Sequence, residues 1–185
     1  GREAVVTGDR AVLRAASHVI LPGVGAFGDA AARLRAAGMA EAVLEAAAAG
    51  KPVLGICLGM QLLLERSFEY GEHPGLGLIP GEVRPIRDVI PAGLAVPHMG
   101  WNALRFPAER PRSPIFAALE EGEHVYFVHS FYAAGCARNT IALTEYGAPL
   151  TAAVARDNVM GCQFHPEKSG ETGLAILQNF AALNR

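Results

Sequence analysis

A chain of 185 residues that is 51% hydrophobic and 18% charged is long enough to bury a substantial core and too apolar to be disordered. Its formal net charge of -2 and pI near 6.3 leave no electrostatic footprint for nucleic acid or an anionic membrane. No apolar run reaches the ~18 residues of a membrane helix, and the start does not read as a signal peptide.

Residues 3–6 (EAVV) and 17–23 (SHVILPG) read as short buried strands, with a helical patch over 10–16 between them. Residues 27–38 and 39–50 read as helices rich in Ala, Leu and Glu, each closed by a glycine. Residues 51–57 (KPVLGIC) form another apolar strand and 59–67 (GMQLLLERS) a helix. This alternation predicts an α/β fold with a central, mostly parallel sheet covered by flanking helices. The second half offers strands over 77–86, 96–106, 124–133, 140–146, 150–156 and 158–165, separated by turns, which adds antiparallel pairing. A helix over 171–184 follows, and with no repeat or linker in view the expectation is one domain over 1–185. Cys57, Cys136 and Cys162 are odd in number and lack CxxC spacing. They suggest neither a disulfide framework nor a zinc site, and point to a reducing cytoplasm.

The stretch Gly55-Ile56-Cys57-Leu58-Gly59 has the strand–sharp turn–helix layout of a nucleophile elbow, with cysteine in place of serine. The turn lifts the sulfur to the carboxyl end of the sheet, where open α/β folds bind ligands. The following helix points its N-terminus at the sulfur, which favours a thiolate over a thiol of pKa ~8.5. The N–H of Leu58 points to where an oxyanion forms after attack on a carbonyl. A second reading stands beside this one: a small buried cysteine in a glycine-rich turn.

A nucleophile needs a base, and His165 in GCQFHPEKS is the candidate. Pro166 holds His165 extended, so residues i and i+2 share a side and Glu167 can hold one imidazole nitrogen while the other faces the thiol. Alone, the pair also reads as a strand-end histidine with an exposed glutamate; joined to the cysteine elbow, it reads as a triad.

GICLGMQ and GCQFHPEKS together resemble the class I, triad-type glutamine amidotransferases. The resemblance implies their flavodoxin-like fold, Cys57 as the nucleophile that forms a thioester with the γ-carbonyl of glutamine, His165 as general base and acid, and Glu167 as third member. LPGVGAFGDA (21–30), PHMGWN (97–102) and YFVHSFY (126–132) resemble, within that family, the glutaminase subunits of imidazole glycerol phosphate synthase. On that resemblance Val24 and Gly25 supply the second oxyanion donor, although the same glycines would serve a plain strand–helix turn. Gln61 and the His129-Ser130-Phe131 segment contact the glutamine. Otherwise Gln61 is an exposed helix residue and His129 a satisfied core histidine. Trp101, the single tryptophan, and Lys168 face the partner, or are a core aromatic and a solvated charge.

The implied partner is a (β/α)8-barrel cyclase subunit in a heterodimer, to which ammonia passes by a protected route because free ammonia near neutral pH is mostly protonated and inert. No metal or organic cofactor is called for. The family's N-terminal strand and helix precede the point where this sequence starts, at Gly1. A glutaminase feeding another synthase, and a non-catalytic subunit, are the competing readings of function.

Overall fold

The structure, a computed structural model, describes residues 3–184. In chain order it places helix α1 (Arg10–Ala15), strand β1 (Val19–Leu21), helices α2 (Phe27–Ala36) and α3 (Met39–Ala48), strand β2 (Val53–Ile56) and helix α4 (Leu58–Leu62). Strands β3 (Arg66–Ser67), β4 (His73–Pro74), β5 (Glu82–Pro85), β6 (His98–Ala103), β7 (His124–His129), β8 (Phe131–Ala134), β9 (Thr140–Glu145), β10 (Pro149–Arg156) and β11 (Val159–Cys162) follow, and then helix α5 (Gly170–Ala182).

The main sheet runs β1-β2-β11-β10-β9. Its parallel part is β1, β2 and β11, and β10 and β9 extend it in antiparallel fashion. Every residue of β2 and β11 is buried, as strands covered on both faces must be, and both accordingly read as apolar runs. One core, with Phe27, Val43, Leu63 and Leu64, packs α2, α3 and α4 on the sheet. The other, with Phe116, Phe127, Phe164, Ile176 and Phe180, packs α5 beneath its opposite side.

Three expectations are corrected. Residues 3–6 have no regular structure, and Val5 and Val6 are exposed. β-branched residues favour a strand only where a neighbour supplies a ladder, and none is provided among the described residues. The helix after Cys57 ends at Leu62 rather than near 67. The carbonyls of Leu62, Leu63 and Leu64 accept hydrogen bonds from Leu76, Leu78, Ile79 and Gly77, so the loop 76–79 takes the acceptors a longer helix would use. The segment 124–133 breaks at Ser130, and its halves join different sheets: β7 pairs with β6, β8 with β5.

Helix α4 lies unusually close to the sheet. A Cβ on Gly55 would sit 2.6 Å from the Met60 nitrogen, one on Gly161 would sit 2.3 Å from Met60 Cγ, and one on Gly59 would sit 1.7 Å from the Leu21 carbonyl oxygen. These glycines are the condition for the approach.

The β6–β7 ladder sets His98 opposite His129. Both are buried, with His98 stacked between Phe127 and Tyr146 at 5.0 and 4.0 Å. His129 Nδ1 lies 2.8 Å from the Phe131 carbonyl, which can only accept, so Nδ1 carries the proton. His129 Nε2 is then the acceptor for His98 Nδ1 at 3.0 Å. Burial pushes the His129 imidazole down to about 4 and lowers His98 in the same sense.

Two outcomes follow from this packing. Gly59→Ala should cost about 3 kcal/mol or more, because the clash is with backbone, read as a lower urea midpoint at unchanged slope; Gly93→Ala, in open space, should change stability by less than about 0.5 kcal/mol. His129 stays neutral in the folded protein down to about 4, while an unfolded histidine gains its proton near 6.5. Between those values the unfolded state binds more protons, so stability is lost as pH falls. From pH 7.5 to 5 the loss from this one group should be on the order of 2 kcal/mol. Urea titrations at the two pH values should show a smaller drop for His129→Gln; an equal drop would contradict the assignment.

Candidate active site

The register of two parallel strands builds the site. Ile56 of β2 lies opposite Cys162 of β11, so both strands end on one rim and the next residues, Cys57 and Gln163, emerge side by side. The Cys57 N–H donates to the Cys162 carbonyl at 2.7 Å. Cys57 has φ 53° and ψ -112°, a left-handed conformation rare for a side-chain-bearing residue and held here by the packing of α4. This is the strained turn expected of a nucleophile elbow.

Three residues past β11, His165 is fixed on several sides. Its N–H donates to the Tyr126 carbonyl at 3.0 Å, and its own carbonyl accepts from Ser169 Oγ at 2.6 Å. The Ser169 hydroxyl oxygen in turn accepts from the Tyr126 N–H at 3.0 Å. The imidazole is buried, with Nδ1 2.7 Å from Glu167 Oε1, whose side chain is half exposed. The two residues meet by a different route from the extended one expected. Only His165 is extended, and Pro166–Lys168 form a 3-10 turn closed by Lys168 N–H on the His165 carbonyl at 3.0 Å.

The state of the sulfur reverses an expectation. Burial raises the Cys57 thiol above its ordinary value. The Leu58 N–H opposes this, the Glu167 charge reinforces it, and the Gln163 amide and Lys168 lower it by less. A five-residue helix end does not offset desolvation, so the resting group is a thiol. Among the described residues the polar neighbours of Sγ are the Leu58 N–H, the Val128 carbonyl at 4.0 Å and Gln163 Nε2 at 3.7 Å. His165 is not one of them, and the sulfur and imidazole share a rim without a hydrogen bond.

Gln61, one turn into α4, is buried rather than an exposed helix residue. Its Nε2 donates to the Phe131 carbonyl at 3.2 Å and to Gln163 Oε1 at 3.0 Å. His129 is likewise a buried, hydrogen-bonded histidine, and the Phe131 carbonyl accepts from both it and Gln61. Ser130 gives its carbonyl to the Ile86 N–H at 3.0 Å. Val24 is 81% exposed and Gly25 has φ 95°. Their loop rests on the start of α4, because a Cβ on Gly23 would sit 3.1 Å from both Leu58 Cβ and the Gly59 nitrogen. Trp101 is exposed rather than core, as is Met99 two residues before it, and Lys168 is exposed beyond the turn. Trp101 also lines a cleft of about 520 Å³ with Glu120–His124 and Ser169–Thr172.

Two residues escaped the sequence reading. Gln163 lay inside a quoted motif, but its contacts cross from β11 to α4. His98 sat in PHMGWN, yet only the strand register shows that it faces His129. The assembled groups, a sulfur on a strained turn, backbone donors beside it and an imidazole held by a carboxylate, suit acyl transfer through a thioester.

Comparison with known proteins agrees. The family model for glutamine amidotransferase class-I matches residues 6–183. The imidazole glycerol phosphate synthase subunit HisH of Lacticaseibacillus casei is 53% identical over 175 residues, covering 95% of this chain and 81% of the relative. The subunit of the same name from Wolinella succinogenes is 53% identical over 168 residues, covering 90% and 80%. A crystal structure of a glutamine amidotransferase superposes with TM-score 0.71 at 19% identity, covering 98% of this chain and 88% of the other. The glutaminase domain of Trypanosoma brucei CTPS superposes with TM-score 0.63 at 17% identity, covering 95% and 75%; both show the shared fold. The chain belongs to the class I glutamine amidotransferase family.

Proposed function

We propose that the protein hydrolyses glutamine to glutamate and ammonia as the glutaminase subunit of an imidazole glycerol phosphate synthase. The observation that carries the chemistry is the shared rim: Cys57 on its left-handed turn beside the strand that leads into the His165–Glu167 pair. The identity of the HisH relatives, 53% over most of the chain, supports the choice of synthase.

In this reading His165 Nε2 takes the thiol proton as Sγ attacks the side-chain carbonyl of glutamine. The oxyanion is met by the Leu58 N–H and by an N–H from the Val24–Gly25 loop. The tetrahedral intermediate collapses, the C–N bond breaks, and the imidazolium returns its proton to the departing amine, which leaves as ammonia. Water, deprotonated by His165, then attacks the thioester; glutamate leaves and the thiol is regenerated. Glu167 keeps Nδ1 protonated and stabilises the transient imidazolium. Gln61, His129, Ser130 and Phe131 form the wall against which glutamine is held.

The partner is a barrel cyclase that consumes ammonia, docked on the face bearing Met99, Trp101 and Lys168. An exposed tryptophan beside a methionine is the composition of an interface anchor. The protonated resting thiol and the missing sulfur–imidazole hydrogen bond support dependence on that partner. The free subunit is then poorly active, which limits wasteful loss of glutamine.

Glutamate release should be slow for the subunit alone and should rise when the cyclase and its nucleotide ligand are added. Cys57→Ala should reduce it to background, and His165→Ala should lower kcat by about 10²–10⁴-fold. Stimulation by a different synthase in place of the cyclase would move the protein to another branch of the family. Cyclase binding without turnover under any condition would make it a non-catalytic subunit.

A further inference from the structure

The geometry points to Gln163 as a fixed N–H donor to the Cys57 sulfur, a catalytic residue that stabilises the thiolate at the moment of attack. The inference rests on Cys57 being the nucleophile and goes beyond the cysteine, histidine and glutamate.

The amide groups along this path can be oriented without ambiguity because the path starts on a backbone carbonyl. Phe131 C=O can only accept, so Gln61 must turn its NH2 toward it, at 3.2 Å. The second hydrogen of that NH2 reaches a Gln163 side-chain atom at 3.0 Å, which must therefore be the oxygen. Gln163 is left with its NH2 on the other side, 3.7 Å from Sγ, within hydrogen-bond range for sulfur. Turning Gln163 over would set donor against donor at Gln61 and carbonyl against sulfur. Gln163 is fully buried and Gln61 nearly so, and water does not compete for these contacts.

The second acceptor site of the Phe131 carbonyl is filled by His129 Nδ1 at 2.8 Å. The directional chain thus begins at a segment expected to touch glutamine and ends at the nucleophile. In the resting thiol the S–H proton has the Val128 carbonyl at 4.0 Å as acceptor, while the sulfur lone pairs face Gln163. When the proton leaves, the Gln163 N–H is already aimed at the new charge and needs no reorganisation. The other charged groups facing the sulfur are Glu167, which raises the thiol pKa, and Lys168, which lowers it; His165 lies on the same rim. Beside the backbone N–H of Leu58, Gln163 is the neutral side-chain donor here, and its amide is held by Gln61 on one side and the sulfur on the other.

The test is the pH dependence of Cys57 alkylation by iodoacetamide in the intact chain, with peptide mass spectrometry resolving Cys57 from Cys136 and Cys162. The alkylation rate follows the thiolate fraction, so this readout does not require glutamine turnover. Gln163→Met keeps the bulk and removes the donor. Its midpoint should move to higher pH by about one unit, a roughly tenfold slower rate at fixed pH below the midpoint. Cys136 and Cys162 are only 2% and 0% exposed against 9% for Cys57 at the rim, and their slower labelling reports that the variant is folded. Should Gln163→Met open the core and label them, Gln163→Asn serves instead. Its amide is one methylene too short to reach Gln61 and the sulfur together, and the same upward shift is expected. An unshifted midpoint in a folded variant overturns the inference even if the wild type hydrolyses glutamine. A shifted midpoint in a protein that never turns glutamine over supports the donor and counts against the glutaminase reading alone.

Discussion

The close seating of α4 on the β2–β11 pair governs the rest of the molecule. Gly55, Gly59 and Gly161 remove three Cβ atoms that would otherwise lie well inside contact distance of Met60 and Leu21. The helix therefore starts immediately after the strand, and Cys57 is the residue left in the turn, at φ 53°. A left-handed non-glycine residue costs roughly 1–3 kcal/mol and persists only where its surroundings over-determine it. The two strands and the helix do so here, and the sulfur is held at the sheet rim.

Burial at that rim has two opposed consequences. It makes a thiolate expensive, so the resting sulfur is protonated. It also makes each donor aimed at the sulfur more effective once charge develops, because electrostatic interactions strengthen where water is excluded. In the proposed reaction the site is thereby prepared for the transition state rather than for the ground state. The same burial keeps the His98–His129 pair neutral and leaves the protonated His129 Nδ1 donating to the Phe131 carbonyl, which holds that carbonyl still for Gln61.

Much of this was legible in the sequence because it is short-range. The glycines around Cys57 and the two-residue spacing of His165 and Glu167 sit within single motifs, and the burial of β2 and β11 follows from their unbroken apolar runs. What stayed hidden depends on pairing between distant segments. Gln163 reaches Cys57 across 106 positions, and His98 meets His129 only through an antiparallel register. The end of α4 is set by a loop more than a dozen residues downstream that takes its carbonyls, a competition local helix propensity does not register. The EAVV stretch has the β-branched residues of a strand but, among the described residues, no partner to pair with. Within the motifs the route also differed: the His165–Glu167 pair forms across a 3-10 turn, and the thiolate expected from a helix end gives way to desolvation.

The most direct test of Cys57 as nucleophile is covalent capture. The protein, with its cyclase partner, would be treated with a glutamine analogue carrying a chloroketone in place of the side-chain amide, then digested and mapped by mass spectrometry. A nucleophile at the rim should displace chloride and form a thioether at Cys57, suppressed by excess glutamine, with Cys136 and Cys162 unmodified. An unmodified Cys57 in folded protein, or labelling that glutamine does not suppress, would contradict the assignment.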